Sequence, residues 1–159
     1  MSIKQLMQVA TAMAFVSSVA FAQAPAPSYG PEIAVDQAKK IAAASLGEAK
    51  KNTGNMAIAI VDTHGLLVYY EKMDDTQTAS ATIAIEKART AAAYRRPSRA
   101  LEDAINKGRP SALNLSGVMP IAGGLPVTSG GKIVGAIGVS GGTADQDEQV
   151  AKAGAETLK

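Results

Sequence analysis

The chain has 159 residues, a formal net charge of +2 and hydrophobic residues at 47% of its positions. Its 16 basic and 14 acidic residues are interspersed, which excludes the basic patch of a nucleic-acid-binding protein. The absence of cysteine excludes disulfides, thiolate metal sites and thioether attachment of a cofactor. We therefore expect a protein without a nucleic-acid partner.

Residues 1–22 have the pattern of a cleaved signal peptide. Lys4 supplies a positive charge, residues 6–21 are mostly apolar, and Ala20-Phe21-Ala22 fits a cleavage site of small residues. The apolar run is short and interrupted by polar residues, so we expect no membrane anchor, and a buried N-terminal helix is the weaker alternative. The sequence predicts cleavage after Ala22 and a periplasmic or secreted mature protein.

The remaining chain predicts a proline-rich lead-in over residues 23–34, extended and poorly ordered, and a single domain over residues 35–159. Hydrophobic periodicity and turn residues predict these elements in chain order: a helix over 35–51, strands over 56–62 and 66–73, a helix over 80–94, a helix over 98–107 capped by Ser98, a loop over 108–124, and a strand–turn–strand–helix unit. The order α-β-β-α-α-β-β-α predicts an α+β fold, an antiparallel sheet flanked by helices.

The final hairpin gives the clearest local prediction. Gly130-Gly131 is typical of a two-residue turn that needs positive φ. The strand over 132–140 is apolar on both faces, which predicts cover from both sides, with Val134 sharing a face with Ala136. Gly138 inside this strand indicates that another element approaches the backbone closely.

The closing helix begins with a capping box of Thr143 and Gln146. Asp145, Asp147 and Glu148 crowd its first turn, where the helix dipole stabilises negative charge. We expect these acids to stabilise the helix by interacting with the positive end of its dipole. They also disfavour a phosphate site at this helix terminus.

Several segments carry a resemblance to a known family: Gly124-Leu-Pro-Val127, residues 131–141, Gln146-Asp-Glu148, residues 59–68 with Met73-Asp74, and residues 87–91 with Arg96-Pro97. From about Val35 onward the chain resembles the GlcG/HbpS-like family, whose members are associated with haem and related tetrapyrroles. The resemblance implies a profilin-like α/β sandwich, a haem or tetrapyrrole ligand, and assembly into a homo-oligomer. The apolar strands and the alanine-rich helix also favour an oligomer.

His64 is the single histidine of the chain and lies in a predicted turn between two strands. Neutral imidazole is the commonest protein ligand of haem iron, so His64 is the first candidate for an axial, metal-binding ligand. The alternative is an exposed turn residue beside the flexible Gly65.

Tyr69 and Met73 are alternative iron ligands or ring-stacking partners, as are Tyr70 and Tyr94. Tyr69 and Tyr70 are neighbours in a predicted strand, so they are expected to point to opposite faces. Core packing is the alternative for each side chain.

Arg95 and Arg96 follow the long helix and are candidate partners for the propionates of a haem, because a guanidinium pairs with a carboxylate through two hydrogen bonds. The alternative is that they complement the negative end of the helix dipole.

Residues 138–142 fit the nucleophile pattern G-x-S-x-G after a strand. A triad of Ser140, His64 and Asp62 is therefore a weak alternative, and Ser140 is better interpreted as a turn residue that hydrogen-bonds its own backbone. The sequence identifies no catalytic residue.

The leading hypothesis is an exported, oligomeric protein that binds haem or a related tetrapyrrole. One alternative is an enzyme of haem degradation or of small organic acids of the glycolate type. The other is an accessory protein that binds no ligand.

Overall fold

The structure is a computed structural model that describes residues 25–51 and 54–158, so the predicted signal peptide lies outside the described residues. Within them the predicted order of elements is confirmed: α1 (Val35–Lys51), β1 (Ala57–Val61), β2 (Leu67–Lys72), α2 (Thr78–Tyr94), α3 (Arg99–Asn106), β3 (Gly124–Ser129), β4 (Lys132–Ser140) and α4 (Ala144–Ala155). Short 3-10 turns occupy Pro110–Asn114 and Glu156–Leu158. Among the described helices, none has both the length and the apolar character needed to cross a membrane.

The strands form one sheet in the order β2-β1-β4-β3, and each neighbouring pair is antiparallel. Helices α1 and α4 pack together on one face, and α2 packs on the other. The predicted α+β architecture is therefore confirmed. The two central strands are apolar on both faces because the chain's own helices cover them, so they leave no open surface for a partner.

Helix α2 lies unusually close to the sheet because small residues meet at the contact. Its buried stripe is built from alanines at helical spacing: Ala84, Ala88, Ala91 and Ala92. On the sheet side, a Cβ at Gly138 would overlap the carbonyl oxygen of Ala84. The close approach predicted for Gly138 is confirmed.

A β-bulge changes the predicted alternation in β4. Val127 pairs with Gly135 and Thr128 with Ile133, so Val134 is an extra residue opposite β3. The bulge turns Val134 toward the core on the α1–α4 side, whereas Ala136 belongs to the α2 side. The prediction that these two side chains share a face is wrong, because the bulge interrupts the two-residue period.

The lead-in is extended, as predicted, but its described part is bonded to the sheet. Gly30 N donates to Ile133 O at 2.7 Å, and Ile33 N donates to Val134 O at 2.8 Å. Strand β1 ends at Val61, opposite Ala136, so this end of β4 is free to accept the lead-in. The expectation of poor order is therefore wrong for these residues.

The predicted hairpin turn and the predicted cap of α4 are confirmed, whereas the predicted cap of α3 is wrong. Gly130 and Gly131 both have positive φ, at 55° and 75°, and the Thr143 capping box is present, as predicted. Ser98 does not cap α3: its hydroxyl donates to Ile121 O at 2.7 Å and accepts from Gly124 N at 2.9 Å. This buried hydroxyl instead anchors the loop that leads into β3.

Candidate functional site

A groove of about 740 Å³ opens along the outer edge of β3, between the end of α2 and the side of α4. Apolar side chains form much of its wall: Pro27, Pro97, Leu125, Pro126 and Ala155. Charged side chains of both signs also line it: Arg95, Arg96, Arg99 and Lys152, and Asp145, Glu148 and Glu156. The groove therefore combines an apolar surface with charged groups, of which Arg95 and Arg96 can bind a carboxylate.

The end of α2 positions the first two arginines. Arg95 takes the left-handed conformation at the helix C-cap, with φ 52°, and its guanidinium lies 5.7 Å from the centroid of the Tyr29 ring. Arg96 follows with its Nε donating to Tyr94 O at 3.1 Å. Both arginines predicted to bind carboxylates therefore lie at the same groove, together with Pro97, which follows them in the chain.

Arg99, at the start of α3, forms ion pairs with two acidic residues of α4 across the groove. Its guanidinium donates to the carboxylates of Glu148 and Asp145, and these hydrogen bonds raise the pKa of Arg99. Asp147 is instead buried and paired with Lys87. Asp145 and Asp147 lie in the first turn of α4, as predicted, and all three acids also have a cationic partner.

His64 lies outside the groove, at a separate pocket of about 390 Å³. Its side chain is 71% exposed, and Nδ1 is 2.8 Å from Glu32 Oε1. Asp62 Oδ1 fixes the backbone of the turn by accepting from His64 N at 2.8 Å and from Leu66 N at 2.9 Å. The predicted turn position is confirmed, whereas the role as an iron ligand stays a prediction.

Tyr69 and Met73 lie away from both pockets, packed against the core on the α1–α4 side. The Tyr69 hydroxyl donates to Glu71 at 2.9 Å, and this hydrogen bond raises the pKa of Tyr69. A raised pKa disfavours the phenolate that an iron ligand requires. Tyr70 packs against the opposite face, as its alternation with Tyr69 predicts.

The alternative serine triad is wrong. Ser140 pairs with Ala57 at one end of β1, whereas Asp62 follows the other end. At about 3.3 Å per residue, Ser140 and Asp62 are roughly 16 Å apart along the strand direction. The Ser140 hydroxyl instead donates to Ser80 Oγ at 3.2 Å, which also replaces the predicted bond to its own backbone.

The structure thus brings Arg95 and Arg96 together, places His64 at a second pocket and packs Tyr69 and Met73 against the core on the α1–α4 side. Sequence reasoning missed Arg99 and Lys152. Arg99 lies three residues beyond Arg96, so its spacing was an available signal, whereas Lys152 reaches the groove only through the packing of α4.

These features define a class: a small α+β sandwich whose edge carries a groove with an apolar wall and with charged side chains of both signs, Arg95 and Arg96 among them. The family model described as haem degrading protein HbpS-like matches residues 33–156. The chain belongs to this HbpS-like family.

Individual relatives agree with this assignment. Protein GlcG of Escherichia coli strain K12 is 42% identical over 103 residues, which cover 65% of this chain and 77% of GlcG. A double mutant of Streptomyces reticuli HbpS is 32% identical, with a TM-score of 0.75 over 87% of this chain and 99% of that one. A PduOC:heme complex is 24% identical, with a TM-score of 0.72 over 79% and 94% of the two chains, and shows the shared fold.

Proposed function

We propose that this protein binds haem or a related tetrapyrrole in the groove beside β3. The observation that carries the proposal is the apolar wall flanked by Arg95 and Arg96. The name of the family, haem degrading protein HbpS-like, supports the same class of ligand.

The groove matches the two chemical parts of a haem. Leu125, Pro126 and Ala155 offer apolar surface to the flat macrocycle. Arg95 and Arg96 offer guanidinium forks to the propionates. Among the described residues lining the groove there is no histidine, tyrosine, methionine or cysteine, so recognition there rests on the macrocycle and its carboxylates.

His64, the predicted iron ligand, lies at the separate pocket beside the turn between β1 and β2, not at the groove. Its Nδ1 faces Glu32, an arrangement that orients the ring and leaves Nε2 as the nitrogen for an iron. Variants at the two places therefore separate the two modes of binding.

The test is a haemin titration of the mature protein, followed by the Soret band. Arg95→Gln and Arg96→Gln should each weaken binding about two- to fivefold, because an exposed ion pair contributes up to about 1 kcal/mol. Lys72→Gln is the matched control, since Lys72 is an exposed cation on β2, at the opposite edge of the sheet.

Thr128→Trp provides a second test, because a large side chain there fills the groove without removing a core residue. The proposal predicts weaker haemin binding in Thr128→Trp and an unchanged Soret band in His64→Ala. If His64→Ala shifts the band while the groove variants bind normally, the groove is not the site.

The family description favours degradation of haem as a second candidate function. Incubation of the haemin-loaded protein with ascorbate and oxygen should then bleach the Soret band and release iron. Free haemin under the same conditions is the control, and equal bleaching rates would contradict an enzymatic role.

We propose a homo-oligomer, supported by exposed apolar side chains. Leu66 and Leu67 are 64% and 46% exposed where edge strand β2 begins. Light scattering coupled to size exclusion should give more than one chain per particle, and Leu66→Ser with Leu67→Thr should lower that mass. A monomeric mass at every concentration would contradict the proposal.

We also propose export, from the signal-peptide pattern of residues 1–22. N-terminal sequencing of the protein recovered outside the cytoplasm should begin at Gln23. Recovery of the uncleaved chain in the cytoplasm alone would contradict this proposal.

A further inference from the structure

Three side chains that commonly bind metal ions converge beside the turn between β1 and β2. They are Glu32, Asp62 and His64, and one ligand atom of each lies within 4.8 Å of the others. These residues share none of the lining of the groove beside β3.

The fold brings the cluster together from two separate segments. The lead-in is hydrogen-bonded to β4 where β1 has ended, through Gly30 and Ile33, and this places Glu32 beside the turn. Asp62 and His64 arrive from the turn itself. The sequence separation of 30 residues between Glu32 and Asp62 explains why no local motif reveals the cluster.

The cluster contains one fixed ligand and two adjustable ones. Asp62 is buried, and its Oδ1 accepts two backbone hydrogen bonds that hold the carboxylate in place. Glu32 and His64 are exposed, so their side chains can close on an ion without disturbing the core. The fixed carboxylate is therefore a preorganised ligand, whereas ordering the other two side chains costs conformational entropy when an ion binds.

One of the three distances already suits a shared ion, and the other two are no more than 4.8 Å. Donor atoms that lie about 2.0–2.2 Å from one metal ion are separated from each other by about 3 Å. The distance of 2.8 Å between His64 Nδ1 and Glu32 Oε1 is already close to that separation. One imidazole nitrogen and two carboxylates also neutralise a divalent charge and favour a borderline transition ion over calcium.

We propose that Glu32, Asp62 and His64 form a site for a divalent transition-metal ion of the zinc or cobalt type, with water in its remaining coordination positions. The ion replaces the contact between His64 and Glu32 and clamps the lead-in onto the turn after β1. This site goes beyond the proposed tetrapyrrole binding, and neither depends on the other.

The test is a titration of the mature, tag-free protein with Co²⁺, followed by its d–d absorption, and with Zn²⁺, followed by calorimetry. We expect one ion per chain. Glu32→Gln, Asp62→Asn and His64→Gln each remove a direct ligand, so each should weaken affinity at least as much as the roughly 10- to 100-fold found when a hydrogen-bond partner of a metal ligand is removed. Asp62→Asn keeps an oxygen that can accept the turn's hydrogen bonds.

Glu86→Gln is the matched control, because Glu86 lines the same pocket as His64 but pairs with Arg89. Zn²⁺ should raise the melting temperature of the wild type and of Glu86→Gln and leave that of Glu32→Gln unchanged. Equal Zn²⁺ affinity in the wild type and the three ligand variants would overturn the proposal, as would no binding at millimolar Zn²⁺. Haemin titration of the same variants distinguishes the metal site from the groove, because none of the three ligand residues lines the groove.

Discussion

Lys87 and Asp147 form a buried ion pair that joins the two sides of the sandwich. Lys87 Nζ donates to Asp147 Oδ2 at 2.7 Å, and the two side chains are only 2% and 4% exposed. Lys87 belongs to α2 and Asp147 to α4, which pack on opposite faces of the sheet. The pair passes the end of β4, where Nζ also donates to Val139 O at 3.1 Å.

We predict that Lys87→Met destabilises the protein strongly. The substitution keeps most of the side-chain volume but leaves Asp147 buried without its cation. Breaking a buried pair from one side costs about 3–5 kcal/mol. The measurement is the free energy of unfolding from urea denaturation.

A double variant and an exposed control show whether the loss of stability in Lys87→Met comes from the unpaired charge of Asp147. The double variant Lys87→Met with Asp147→Leu removes both charges and should recover part of the loss. Lys39→Met is the exposed control, because Lys39 pairs with Asp36 at 3.9 Å on the surface and should change stability by less than about 1 kcal/mol. If Lys87→Met costs no more than Lys39→Met, the pair does not stabilise the fold.

Asp147 should titrate above the ordinary aspartate value of 3.8. Burial raises the pKa of Asp147 more than the hydrogen bonds from Lys87 and from the backbone of Gly142 lower it. The folded state then holds this proton more tightly than the unfolded state. The stabilisation from this group is complete below the unfolded pKa and is lost as pH rises through the folded pKa.

The measurement for this prediction is a carbon-13 titration of the Asp147 carboxyl. The reference is the ordinary aspartate value of 3.8. A midpoint for Asp147 at or below 3.8 would show that its hydrogen bonds outweigh its burial.

The fold was predictable because local signals agree with the final packing. The alanine stripe of α2, the Gly130-Gly131 turn and the Thr143 cap each act over a few residues, and each is present in the structure. The bulge at Val134 was not predictable, because it depends on the register between β3 and β4.

The candidate site was predictable only where it is local. Arg95 and Arg96 are adjacent in sequence, so their shared position follows from the end of one helix. Glu32 meets His64, and Lys87 meets Asp147, only after distant segments pack. Lys87 shares the helical spacing of the buried alanines, so its burial could have been predicted from the sequence, whereas its partner could not.

Glycine substitutions test the close packing of α2. Gly138→Ala should destabilise the protein, because the added Cβ would overlap backbone atoms of Ala84 and Ala88. Gly47→Ala is the matched control: Gly47 lies in α1 with no atom near its added Cβ, so the change should stabilise by up to about 1 kcal/mol. Urea denaturation gives both values, and a stable Gly138→Ala would mean that α2 can move away from the sheet without cost.

Arg95 should show opposite effects on stability and binding. Its φ of 52° is a backbone conformation that favours glycine, and a non-glycine residue there costs about 1 kcal/mol or more. Arg95→Gly relieves that strain but removes the guanidinium from the groove, so it should match or exceed the wild type in free energy of unfolding and bind haemin more weakly. Arg95→Ala keeps the strain, so it should bind haemin as weakly as Arg95→Gly and have a lower free energy of unfolding than Arg95→Gly. If Arg95→Gly binds haemin as tightly as the wild type, Arg95 is a helix cap and makes no contact with the ligand.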